Sequence, residues 1–105
     1  MQIHINSDSN IEGSDRLAHQ VAPVVRDALD RFSAQITRVE VHLSDENSDK
    51  KFGAEDKRCL LEARLIGLQP ISVRHHAATL EQAVDGAVEK LKRSLDSTFG
   101  RLDKR

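Results

Sequence analysis

The side chains with chemistry to offer in this 105-residue chain are five histidines, one cysteine and a run of cations near the C-terminus. Lys90, Lys92, Arg93, Arg101, Lys104 and Arg105 face only Asp96 and Asp103, six cations against two carboxylates, a local net of +4. The whole chain carries −1, so the first 89 residues sum to −5. Lys90, Arg93 and Arg101 fall along one flank of a helix and Lys92 along another. Cations repeated on one helix edge can contact successive phosphates and release counterions, which points to a polyanionic partner. The plain alternative is a solvated helix end whose cations complement the C-terminal dipole. Arg26 and Arg31 could extend the patch, but Asp27 and Asp30 beside them favour i,i+4 ion pairs.

The other candidate chemistries are weaker. His4, His42 and His76 fall on the same face of three different strands, without the fixed spacing that marks a zinc motif, so no metal site is expected. They belong to a polar surface with Gln2, Asn6, Arg38, Glu40, Arg58, Glu62, Arg64, Ser72 and Arg74, where cross-strand pairs such as Glu62 with an arginine are expected. That surface is a candidate protein-binding face. His75 points inward and reads as a core-edge residue bonded to backbone, unless a bulge makes it trade places with His76. Cys59 also points inward and reads as an inert buried thiol. Asp45, Asn47 and Asp49 match the first positions of a calcium loop, but Lys50 stands at its glycine position and Asp56 at its glutamate position. No Gly-rich phosphate loop, nucleophile elbow or close carboxylate pair is present, so no catalytic residues and no cofactor are expected.

Composition fixes the setting for these groups. An apolar fraction of 38% beside 31% charged residues describes a folded soluble chain, read as one domain over 1–105. No stretch approaches the roughly 18 apolar residues of a membrane span, so no membrane partner is expected. A lone cysteine and no visible secretory signal give a cytoplasmic reading.

The elements that must position the candidate residues follow from periodicity. Gln2 to Asn6 alternates and reads as a strand. Ser14 caps a helix through about residue 34, with Leu17, Val21, Val24, Ala28, Leu29 and Phe32 on its apolar face and Pro23 on its polar side. Thr37 to Ser44, Lys57 to Ile66 and Ile71 to Ala77 are further strands. Thr79 and Gln82 form a capping box for a last helix whose apolar stripe is Leu80, Val84, Ala87, Val88, Leu91, Leu95, Phe99 and Leu102, with Gly100 interrupting it. The order is β-α-β-β-β-α. A right-handed parallel crossover followed by an antiparallel meander, each strand with one apolar face, predicts an α+β two-layer sandwich with both helices on one face of a four-stranded sheet.

This order, the opening Met1-Gln2-Ile3-His4-Ile5-Asn6 and the helix from Leu80 to Leu95 resemble the ribosome hibernation-promoting factor family, also called the ribosome-associated inhibitor or sigma-54 modulation family. The resemblance implies a fold related to the double-stranded RNA-binding domain. It also implies a stress factor that binds the small ribosomal subunit and its rRNA and blocks the decoding channel without catalysis. On that reading Lys90, Arg93, Arg101 and Lys92 contact rRNA, aided by the sheet arginines Arg74 and Arg64. Asp96, Ser97 and Thr98 stand where the family continues with lysines. This leaves open a second reading: a module of the same fold that has lost ribosome binding and docks a protein partner on its open sheet face.

Overall fold

In the computed structural model, which describes residues 1–8, 14–45 and 57–103, one four-stranded sheet carries two helices. The elements are β1 (Gln2–Ser7), α1 (Ser14–Leu29), a 3-10 turn (Asp30–Phe32), β2 (Ile36–Asp45), β3 (Lys57–Leu65), β4 (Ile71–Ala77) and α2 (Leu80–Asp103). The strands lie in sequence order, with β1 parallel to β2 and the β2–β3 and β3–β4 pairs antiparallel. This is the predicted α+β sandwich. The first helix is shorter than expected, since the chain tightens into the 3-10 turn at Asp30.

One face of the sheet is built by a period of two. Val39, Val41 and Leu43 on β2, Cys59, Leu61, Ala63 and Leu65 on β3, and Ala77 on β4 are buried, joined by half-buried Ile3 and Ile5 on β1 and Ile71 and Val73 on β4. Ile36 breaks the parity, and it is buried because the β2–β3 register shifts between Ile36 and Arg38. Both helices cover this face. α2 contributes Ala83, Val84, Ala87, Val88, Leu91 and Leu95, with Leu80 and Phe99 at the margin. Thr79 caps it as expected, its Oγ1 accepting from Gln82 N at 3.1 Å. Gly100 does not interrupt the helix, which runs on to Asp103.

The buried stripe of α1 is Val21, Val25 and Leu29, continued by Phe32 in the 3-10 turn; Val24, expected inside, is 44% exposed. Pro23 is exposed within the helix, on the polar side as its wheel position required. His75 is half-buried against α2, and its Nδ1 has no hydrogen-bond partner, contrary to the expected backbone bond. The ring occupies the space that any side chain at Gly86 would need, since a Cβ there would overlap it.

That contact predicts a reversal of sign. Gly86→Ala alone should destabilise by on the order of 1–3 kcal/mol through overlap with the imidazole. In a His75→Ala background the same change should stabilise by about 1 kcal/mol, the helix preference for alanine over glycine. Urea unfolding of the four proteins in the cycle reads both numbers.

Candidate nucleic-acid interface

The position of α2 over the sheet decides where its cations go. Its apolar stripe packs on β3 and β4, so one flank overlooks the outer edge of β4 and the other faces α1. Lys90, Arg93 and Arg101 are on the β4 flank by helical phase, and all three are exposed. Lys90 reaches the strand itself, donating from Nζ to the Arg74 carbonyl at 2.8 Å. A lysine at an unpaired strand edge also discourages edge-to-edge pairing, so this side chain has a structural task besides its charge. Arg101 donates to Ser97 Oγ at 2.7 Å, one turn back on the same flank. Arg93 makes no ion pair or hydrogen bond among the described residues.

Lys92 lies on the α1 side of the helix, 3.5 Å from Glu89. Asp96 is on that side too, and Arg31 holds it at 2.8 Å. The expected i,i+4 pairs of Arg31 and Arg26 within their own helix are replaced by longer-range partners. Arg31 spans to α2 and lies over the Phe32 ring at 4.3 Å, while Arg26 donates to the Met1 carbonyl at 3.4 Å. The carboxylate that interrupts the run of cations in the sequence is therefore turned away from the Lys90 flank and neutralised by a neighbour.

The open face carries Arg64 and Arg74. The registers put Gln2, Arg38 and Arg64 in one row across β1, β2 and β3, then His4, Glu40, Glu62 and Ser72, then Asn6, His42, Leu60 and Arg74. Like charges thus sit opposite each other, Arg38 with Arg64 and Glu40 with Glu62, an unfavourable cross-strand arrangement. The compensating ion pairs run along the strands, Arg38 to Glu40 at 3.1 Å and Arg64 to Glu62 at 3.6 Å, not across them as expected. Leu60 shares this face, an apolar residue that the polar pattern left out. Arg74 is exposed on the edge strand, and its side chain has no intramolecular partner among the described residues.

The three open-face histidines fall in three different rows, His76 pairing with Arg58 two strands away from β2. Among the described residues, no three His, Cys, Asp or Glu side chains converge to hold a metal ion. The calcium-like positions beyond Asp45 lie outside the described residues. Asp45 itself pairs with Lys57 at 3.3 Å. No described helix is long and apolar enough to cross a membrane.

Residues 3–103 match the family described as sigma 54 modulation protein / S30EA ribosomal protein. The chain belongs to that family. Two solved structures share the fold of this sigma 54 modulation / S30EA chain. The Thermus thermophilus Protein Y N-terminal domain superposes with a TM-score of 0.72 at 23% identity, covering 93% of this chain and 99% of that one. A ribosomal subunit interface protein from Coxiella burnetii gives 0.70 at 16% identity, covering 95% and 99%. No curated protein sequence shows a significant match. The family match agrees with the resemblance carried by the first strand and the last helix, and the fold is that of its structural neighbours.

Cys59 lies on the helix-covered face, opposite Leu43 and His75 in the strand registers. Burial alone pushes its thiol up from 9.0 to about 12, so the thiolate is scarce at neutral pH. Native protein at pH ~8 should resist iodoacetamide and react stoichiometrically in urea. Rapid labelling of the folded protein would contradict the burial.

Proposed function

We propose that this protein binds the small ribosomal subunit as a single cytoplasmic domain, contacting its rRNA and blocking the decoding channel by occupancy, without catalysis. Family membership supports a ribosomal partner, and one observation carries the choice of surface: the Lys90–Arg93–Arg101 flank beside the exposed Arg74 edge. On this flank cations follow one another along the helix, while Asp96 is held on the opposite side. Arg93 and Arg74 are the primary phosphate contacts, because neither side chain has a partner among the described residues to give up. Lys90 and Arg101 must exchange an internal hydrogen bond for a phosphate. Lys92 contacts the backbone from the other side of the helix, and Arg64 from the open face by leaving Glu62.

Ribosomes offer phosphate oxygens at regular spacing, and each neutralised phosphate steepens the salt dependence of binding. Inhibition then needs only residence: a folded body held by several charge-assisted contacts excludes whatever shares the channel.

Cosedimentation with purified small and large subunits at low and near-physiological salt tests this. Saturable binding to the small subunit is expected, weakening steeply with salt. Arg93→Glu with Arg101→Gln should reduce the salt slope by about one unit per lost contact and lower affinity at least tenfold. Lys90→Gln belongs in a separate variant, checked for its melting temperature, because it also releases the Arg74 carbonyl. Unchanged affinity in the Arg93→Glu, Arg101→Gln protein would refute the assignment of the flank.

A further inference from the structure

The 3-10 turn that follows α1 meets the C-terminal part of α2. There Arg31 bridges to Asp96, and the Phe32 and Phe99 rings stack at 6.0 Å. Toward the N-terminal halves of both helices a cleft of about 340 Å³ opens between them. Its floor is Leu17, Val21, Val24 and Val84, and Glu81 and Asp85 of α2 form its rim. Val24 is one of three large apolar residues left exposed among the described residues, and it lies in this cleft. Glu81 and Asp85 are exposed and make no hydrogen bond or ion pair among the described residues.

We propose that this cleft is a docking site for a basic, amphipathic peptide segment of a partner protein. Aliphatic side chains of that segment pack on Val24 and half-buried Leu17, and its lysines or arginines meet the Glu81–Asp85 rim. The sign of the rim selects the partner class. Two unpaired carboxylates repel phosphate, so nucleic acid is disfavoured here, whereas cations anchored by aliphatic side chains satisfy both rim and floor. Lys90, Arg93 and Arg101 occupy the opposite flank of α2, so both flanks can be engaged at once. A cleft between two helices suits a third helix laid alongside them, with anchors at i, i+3 or i+4.

The test needs no ribosome, so its failure is separable from that of the rRNA reading. A fluorescent synthetic peptide of about 15 residues, with leucines at helical spacing and lysines elsewhere, is titrated into the full chain, beside a scrambled peptide of equal composition. Saturable binding of the patterned peptide is expected, about fivefold weaker to Glu81→Gln/Asp85→Asn. Val24→Ser, a change at an exposed position that leaves the core intact, should weaken it as well. Equal binding of the scrambled peptide, or wild-type affinity in the Glu81→Gln/Asp85→Asn protein, would overturn the proposal. Displacement by oligouridylate would assign the cleft to RNA. Self-association of the free protein abolished by the rim variants would assign it to a second copy; either result also overturns it.

Discussion

Burial of a single face of one sheet is the constraint on which everything else in this molecule rests. Apart from Ile36, beyond the register shift in β2, the strands contribute their odd-numbered side chains to that face, and a slip of one residue in any pairing would turn the whole set into water. The even-numbered residues are thereby committed to the other side, where four arginines, three histidines and two glutamates can coexist only because solvent reaches them. Two helices are needed to cover four strands. α2 takes β3 and β4 with small residues such as Ala83 and Ala87, which let it lie close, and α1 takes what remains on the β1 side. The approach is close enough at Gly86 that the His75 ring replaces a side chain there.

This division of labour also separates the charges. Because α2 must present its apolar stripe to β3 and β4, its remaining surface splits into two flanks with different neighbours. One overhangs a strand edge, where an exposed backbone carbonyl attracts Lys90. The other faces α1, where Arg31 recruits Asp96. Exposed pairs of this kind contribute about 0–1 kcal/mol, so the Arg31–Asp96 bridge matters less for stability than for where it places a negative charge. It joins the Phe32–Phe99 contact toward the C-terminal end of α2, while Val24 is left uncovered toward the N-terminal end.

Element order, strand parity and the cap at Thr79 were legible in the sequence because each depends on local pattern alone. The misread positions depend on neighbours the sequence does not display. The run Val21-Ala22-Pro23-Val24-Val25 offers two apolar stripes one residue apart, and only packing chooses the one through Val25. Gly100 has a weak helix preference, yet the helix continues through it, with Phe99 packed on the core beside it. The partner of Asp96 is sixty-five residues away in the chain, so counting charges along α2 made this residue look like an interruption of the cationic edge. The like-charged rows of the open face were equally hidden, since they follow from the register between strands and not from any one strand's composition. Among the candidate contacts, Arg93 and Arg74 have no side-chain partner among the described residues, whereas Lys90, Lys92, Arg101 and Arg64 must first release one.

A near-neutral net charge of −1 argues on its face against a nucleic-acid partner. Charge acts locally, however, because solvent ions screen exposed groups beyond about 8–10 Å at ordinary salt. At that range a phosphate beside Arg93 senses the β4 flank of α2 far more than the carboxylates that balance the total. The Glu81–Asp85 rim is presented from the other side of the same helix, toward α1. A single helix whose two flanks carry opposite sign can therefore meet a polyanion on one side and a cationic chain on the other. The total charge of the chain reports neither.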